Sequence, residues 1–326
     1  MENKKSNLSF SGKVKEELTE HYATARHCQI AELTAIFLFC GRLFYRKTGM
    51  LYVKFQTENL GVARKCFTLL KKTFNIYTDI LVKKSNASHV YTYILVIRSQ
   101  EEVERFYGAC KIGMTDATLC PLEAQISLLT GKGCCKRAFI RGAFLVSGSI
   151  SDPSKFYHFE IVCDTLEQAQ ILQRMICSFE AEGGLDAKVV KRKKYYVVYL
   201  KEGAQIVTML NIMEAHISLM DLENLRIVKE MRNTVNRRVN CETANINKTV
   251  SAAVKQIDDI LFLKEHGGFS DLNNGLLDMA EVRLAYPEAA LKELGELLDP
   301  PVGKSGVNHR LRKLSELASR LRDTLS

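Results

Sequence analysis

Residues 140–148 read IRGAFLVSG, and the fold turns on that stretch. Ile140, Ala143, Phe144 and Val146 run along one helical face. Small residues stand where two backbones could touch: Gly142, Ala143, Ser147 and Gly148. The stretch has a twin, LTAIFLFCG at residues 33–41, lying 107 residues upstream with the same length, apolar run and closing glycine. An internal repeat of this kind sets the architecture before any other feature is weighed.

The repeat extends beyond the nonamers. Alternating β-branched and aromatic residues predict strands over 51–57, 76–83 and 90–97 in the first half. The same pattern predicts strands over 157–163, 185–190 and 195–200 in the second. Helical periodicity covers 60–74 and 101–109, then 166–179 and 204–213. The expected order in each half is helix, two strands, helix, two strands, helix, and the alternation locates three of those four strands. The expected class is α+β: a pseudo-symmetric two-repeat domain over 1–221, with repeats at about 21–115 and 131–216.

A chain of 326 residues has room for two or three domains. Its net charge of +9 favours an anionic partner, nucleic acid or a membrane surface. The longest purely apolar run near the first nonamer is 35–40, far short of the ~20 residues of a membrane span. Residues 1–10 lack the apolar core of a signal peptide. The ten cysteines are scattered without zinc spacing and read as reduced cytosolic thiols. Cys134 and Cys135 are adjacent thiols, which rarely form a relaxed disulfide, and have no partner histidine, so packing is favoured over redox or metal chemistry. His158 and His216 stand alone in apolar patterns and read as core or boundary residues.

Taken in order, residues 10–20 form a helix capped by Ser9 or Ser11, and 83–89 read as a hairpin loop. Residues 130–137 (TGKGCCKR) join the halves. Lys188, Lys191, Arg192, Lys193 and Lys194 lie between two strand runs in a stretch without an acid. They read either as a solvated hairpin or as a phosphate-contacting ridge. A helix over 221–238 carries Arg237 and Arg238, further candidate phosphate contacts. It ends in NRRVNCETAN, 236–245, a polar stretch that breaks the helical pattern and reads as the interdomain linker, closing a helical linker segment over 222–245.

Residues 246–326 contain no strand run. Helices are expected over 248–265, 272–285, 288–298 and 306–321, the third stopped by Pro300 and Pro301 and the last capped by Ser305. On the last helix Val307, Leu311, Leu314, Ala318 and Leu321 line one face. Ser305, His309, Arg312, Lys313 and Glu316 fall on the other, with Asn308 at its edge. A short turn before a basic amphipathic helix is the helix-turn-helix arrangement. The candidate DNA-reading residues are Lys304, Ser305, Asn308, His309, Arg310, Arg312 and Lys313: asparagine suits adenine, and arginine or lysine suits guanine. On the residues alone, a helical docking domain with a solvated basic face remains an equal alternative.

The nonamers resemble the LAGLIDADG motif of homing endonucleases. That resemblance implies two helices packed at a pseudo-dyad, each giving an acid just before the final glycine to hold a catalytic divalent metal. Those positions fall here on Cys40 and Ser147, so the hard oxygen ligands are missing. Asp152 is expected off the helix end. The resemblance implies the scaffold without the nuclease chemistry.

The whole chain resembles the WhiA family of bacterial proteins. The resemblance is carried by FSGKVKEEL at 10–18, CCKRAFIRGAFLVSGSI at 134–150, NRRVNCETAN at 236–245 and DPPVGKSGVNHRLRKL at 299–314. It implies a degenerate LAGLIDADG-like domain and a C-terminal helix-turn-helix domain over 246–326. It also implies a protein that binds double-stranded DNA and acts in cell division and chromosome segregation, or as a transcriptional regulator of sporulation-linked division. On this reading the chain is not an enzyme. It takes no metal, cofactor, small-molecule substrate or membrane, works in the cytoplasm on the nucleoid, and has division or transcription machinery as candidate protein partners. The rivals are a metal-dependent endonuclease and a protein-interaction scaffold.

Overall fold

The computed structural model describes residues 8–46, 49–84, 90–112, 122–180 and 184–325. Of the predicted loop at 83–89, residues 85–89 lie outside them, whereas Lys83 and Lys84 belong to a strand, paired with Thr92 and Tyr91. Contacts divide the chain into two units, 1–229 and 230–326.

In the first unit, α1 (Phe10–Glu20) is capped by Ser9, whose Oγ accepts from the Gly12 N–H at 3.1 Å. The first repeat follows as α2 (Arg26–Cys40), β1 (Gly41–Tyr45), β2 (Leu51–Thr57), α3 (Leu60–Phe74), β3 (Asp79–Lys84), β4 (Tyr91–Ile97) and α4 (Gln100–Cys110). After α5 (Leu122–Leu129) comes the second: α6 (Gly133–Ser147), β5 (Gly148–Ile150), β6 (Phe159–Cys163), α7 (Leu166–Cys177), β7 (Lys188–Arg192), β8 (Tyr195–Leu200) and α8 (Gly203–Met213). Each repeat builds one antiparallel sheet, in the matching orders β1-β2-β4-β3 and β5-β6-β8-β7. The period-2 alternation puts Val53, Phe55, Leu95 and Ile97 of one sheet against helices, and Phe159, Ile161, Val198 and Leu200 of the other.

The nonamer helices α2 and α6 pack on each other between the sheets, and Gly142 shows how closely. A Cβ built there would lie 2.5 Å from the Glu32 carbonyl oxygen and 2.9 Å from the Ala35 Cβ. Gly142→Ala is therefore expected to push the helices apart and cost about 1–3 kcal/mol, read from the denaturation midpoint. An unchanged midpoint would mean that the backbones do not meet at this position.

Several sequence expectations shift. Strand β3 starts at Asp79 rather than 76, because the chain first closes α3: Asn75 turns left-handed (φ 55°) and the Ile76 N–H donates to the Leu70 carbonyl at 3.2 Å. Strand β7 starts at Lys188 rather than 185, since Leu185 and Ala187 are buried before pairing begins. Helix α5 had no counterpart in the sequence pattern. The supposed connector over 130–137 is helical from Gly133, which puts both adjacent cysteines in the first turn of α6.

The polar stretch 236–245 does not break a helix. Helix α9 runs from His216 to Glu265 without interruption. No glycine or proline lies in that stretch, and local bonds suit it: Arg238 pairs with Glu242 at 3.0 Å and Thr249 Oγ1 donates to the Asn245 carbonyl at 2.9 Å.

The second unit holds the last part of α9, a 3₁₀ turn over Gly268–Asp271, α10 (Asn274–Ala285), α11 (Leu291–Glu296) and α12 (Lys304–Leu325). Ile260, Leu263, Met279, Leu294, Val307, Leu311 and Leu314 form its core. Helix α12 begins earlier than expected. The Gly303 carbonyl accepts from the Val307 N–H at 3.1 Å, so Gly303 holds the capping place and Ser305 lies inside the first turn.

Candidate nucleic-acid interface

Helix α12 separates its faces as its sequence requires. Val307, Leu311, Leu314 and Ala318 are buried, whereas Lys304, Ser305, Asn308, His309, Arg312 and Lys313 are exposed. Arg312 reaches only Glu316, at 3.0 Å, an exposed pair worth little and easily exchanged for a phosphate. Arg310 differs from the rest. Its guanidinium lies over Gly275 and donates to that residue's carbonyl at 3.2 Å, so it ties α12 to α10. Helix α11 and the turn at 297–303 precede α12, completing a helix-turn-helix.

The basic cluster of the first unit is split by the pleat. Register pairs Lys188 with Tyr199 and Arg192 with Tyr195, on the open sheet face that also carries Glu160 and Val197. Lys191 pairs with Tyr196 on the helix-facing side, at the sheet's edge. Lys193 and Lys194 form the turn, Lys193 with φ 57°. Arg192 lies 3.7 Å from Glu160, which also meets His158 at 3.1 Å. Arg237 and Arg238 are exposed on α9, and His216 opens that helix, also exposed.

The open face of the first sheet carries cations that the sequence reading passed over. Arg42 pairs with Lys54 across β1 and β2, and Lys54 lies 5.0 Å from the Phe44 ring, itself stacked on Tyr52. One cation per strand makes no run in the sequence. Period-2 alternation along β1 and β2 was the available signal.

Cys40 and Ser147 do come together, lining one cavity of about 630 Å3 with Lys15, Arg42, Gln56, Glu58 and Asn59. Both spend their donors on their own helices: the Cys40 thiol on the Ile36 carbonyl (3.2 Å) and the Ser147 hydroxyl on that of Ala143 (3.3 Å). Burial pushes the Cys40 thiol up to about 12 and lowers Lys15 to about 8. Asp152 is not among the lining residues; it accepts from the Ser154 N–H at 2.9 Å.

Two further clusters lie along the paired helices. Glu32 of α2 is fully buried and accepts from Arg141 of α6 through both oxygens, at 3.1 and 3.2 Å, while Lys65 of α3 approaches to 2.5 Å. Arg141 also bonds Glu214 and the Met213 carbonyl, and Lys65 donates to the Leu18 and His21 carbonyls at 2.6 and 2.7 Å. Burial lowers Lys65 despite Glu32 beside it. The second cluster corrects the sequence reading of the adjacent cysteines. Cys134 and Cys135 do have a histidine partner: His27, with Cys28, from the first turn of α2. The distance along the chain hid it.

Three family models cover most of the chain: the WhiA N-terminal LAGLIDADG-like domain at 26–112, the WhiA LAGLIDADG-like domain at 136–232 and the WhiA C-terminal HTH domain at 235–318. The chain belongs to the WhiA family. It is 54% identical over 316 residues to the probable cell division protein WhiA of Lachnoclostridium phytofermentans, covering 97% of this chain and all of that one. It is 46% identical to the protein of the same name from Clostridium botulinum strain Hall, over 97% of this chain and 99% of the relative. The crystal structure of full-length DUF199/WhiA from Thermatoga maritima shares the fold, with a TM-score of 0.57 at 23% identity over 96% of this chain and 99% of that one. The WhiA architecture is thus a LAGLIDADG-like two-repeat domain followed by a helical helix-turn-helix domain. Among the described residues no helix is long and apolar enough to cross a membrane.

Proposed function

We propose that this chain binds double-stranded DNA through α12, acts in cell division and chromosome segregation, and does not cleave DNA. The observation that carries the reading is the exposed face of α12, where Ser305, Asn308 and His309 stand at the N-terminal end and Lys313 beside them. Hydrogen-bonding groups at the tip of a helix suit base edges, and flanking cations suit phosphates. The relatives' name, probable cell division protein, supports the cellular role. A direct transcriptional regulator of division or sporulation genes is the second reading, favoured by the base-reading chemistry of Asn308. Division or transcription proteins are the candidate further partners, and the nucleoid the expected place of work.

The cavity at the nonamer ends supports the absence of nuclease activity. A divalent ion there would meet Lys15 and Arg42, with Glu58 the one carboxylate among the described lining residues. Catalytic Mg²⁺ takes anionic oxygen ligands, and the two helix-end positions supply instead a thiol and a hydroxyl, each bonded to its own helix, with Lys15 and Arg42 beside them. Purified protein with Mg²⁺ or Mn²⁺ is expected to leave supercoiled and linear DNA intact. Metal-dependent cleavage lost on changing Glu58 or Asp152 would overturn that part. The cellular role is tested by genome-wide occupancy paired with transcripts on deletion. Occupied promoters with changed transcripts favour a regulator; occupancy without transcript change favours division and segregation.

A further inference from the structure

The N-terminal ends of the two nonamer helices present a donor set that DNA binding does not use. His27 and Cys28 stand in the first turn of α2, and Cys134 and Cys135 in the first turn of α6. Carried along the chain by the offset that relates the nonamers, His27 corresponds to Cys134 and Cys28 to Cys135. The four ligand atoms lie within 4.8 Å of one another. The His27 Nδ1 is 3.1 Å from the Cys135 sulfur and 3.3 Å from that of Cys28. A tetrahedron with Zn–S of ~2.3 Å and Zn–N of ~2.0 Å has edges of about 3.5–3.8 Å, so small side-chain movements would close the set around one ion.

We propose that His27, Cys28, Cys134 and Cys135 bind one structural zinc ion, clasping the two repeats at the end of the pseudo-dyad opposite the Cys40–Ser147 cavity. Three thiols and an imidazole are soft and borderline donors, and they suit zinc in a closed four-coordinate site rather than Mg²⁺ or Ca²⁺. Binding expels the three thiol protons, and three thiolates on one divalent ion leave a single net negative charge.

The surroundings match that charge. Both sulfur-bearing turns sit at helix N-termini, and neither helix has a side-chain cap there. The positive ends of the two helix dipoles therefore face the thiolates. Lys132 precedes α6 and Arg26 opens α2, adding two cations next to the ligands in the chain. Ala31 and Ala138 pack directly beneath, small enough to let the two helix ends converge. The clasp would fix the register in which α2 and α6 meet, and hence the relation of one sheet to the other.

The test uses the full-length chain, purified under reducing conditions without chelator. Elemental analysis is expected to find about one zinc ion per chain. Cobalt(II) in its place should give the thiolate charge-transfer bands and intense visible absorption of a tetrahedral thiolate site. His27 and Cys134 are exposed, so His27→Ala and Cys134→Ser should fold and yet lose most of the bound metal. A strong chelator should lower the melting temperature by roughly 5–10 °C in the wild type and not in Cys134→Ser. Two results would overturn the proposal. One is protein with neither zinc nor a tetrahedral cobalt spectrum after reconstitution. The other is an intact mass, after alkylation without reductant, showing Cys28 joined to Cys134 or Cys135 as a disulfide in the native protein.

Discussion

Glu32→Ala is expected to cost the LAGLIDADG-like unit about 3–5 kcal/mol of stability. The reason is what the substitution leaves behind. Lys65 and Arg141 have side chains 0% and 1% exposed, and Glu32 is the carboxylate that both share. Without it two buried cations face each other across α2, and the remaining acid, Glu214, bonds Arg141 from a partly exposed position. Replacing the whole set with apolar residues of similar volume should cost less than removing one member, because no orphaned charge then remains. Glu32→Gln keeps the shape, loses the charge and should fall between the two. The deficit should also respond to pH. Lys65 is already lowered by burial, and losing Glu32 removes what opposes that shift. Between the lowered folded value and 10.5 the unfolded chain holds more protons at Lys65, so stability rises with pH across that window. Wild type gains in the same way above its own lowered folded value, so the deficit of Glu32→Ala should shrink only between the variant's further lowered Lys65 value and the wild-type one, and stay constant from there to 10.5. Chemical denaturation followed by amide exchange on α2 and α6 reads it. A loss below about 1 kcal/mol would mean that water reaches both cations.

This network was not legible in the sequence. Glu32 stands just before the first nonamer and Arg141 inside the second, and nothing local joins them. Lys65 sits on α3 beside Arg64, and nothing local in the sequence tells the buried cation from the exposed one. Its burial depends on α1 passing over it with two carbonyls free to accept. The nonamers themselves were legible, because their small residues and apolar run belong to contiguous helices and the repeat doubles the signal. The helical second unit was legible for the same local reason. Exposed cations on the first sheet were missed because a strand displays every second residue, so Arg42 and Lys54 form a surface without forming a run. The His27 cluster was missed because a ligand set assembled from two repeats has no short spacing to recognise. Helix α9 was cut in two by reading polarity as a break, although polarity alone ends no helix; the absence of glycine and proline in 236–245 was the better guide.

The second large effect concerns α12. Replacing Lys304, Arg312 and Lys313 together with alanine should flatten the salt dependence of DNA binding by about 2.7 logarithmic units, if each meets one phosphate. At about 0.1 M salt that corresponds to binding roughly 10²–10³-fold weaker, on specific and nonspecific DNA alike. All three side chains are exposed on the side away from the core, so the unit should melt as before. Asn308→Ala should behave differently. It should leave the salt slope alone and lose about 1–3 kcal/mol of discrimination at one base pair. Arg310→Ala separates these effects from stability, since its guanidinium bonds Gly275 within the unit: it should lower the melting temperature before it changes the slope. The comparison that decides where DNA lies is with Lys188, Arg192 and Lys193. Their removal should change nonspecific affinity weakly and sequence preference not at all. If that triple variant instead abolishes specific binding while the α12 variant keeps its slope, the sheet of the second repeat reads the DNA and α12 serves another partner. The pleat argues against this outcome. It turns Lys191 to the other side from Lys188 and Arg192 and leaves Glu160 beside Arg192, whereas α12 sets its cations and its asparagine on one unbroken face.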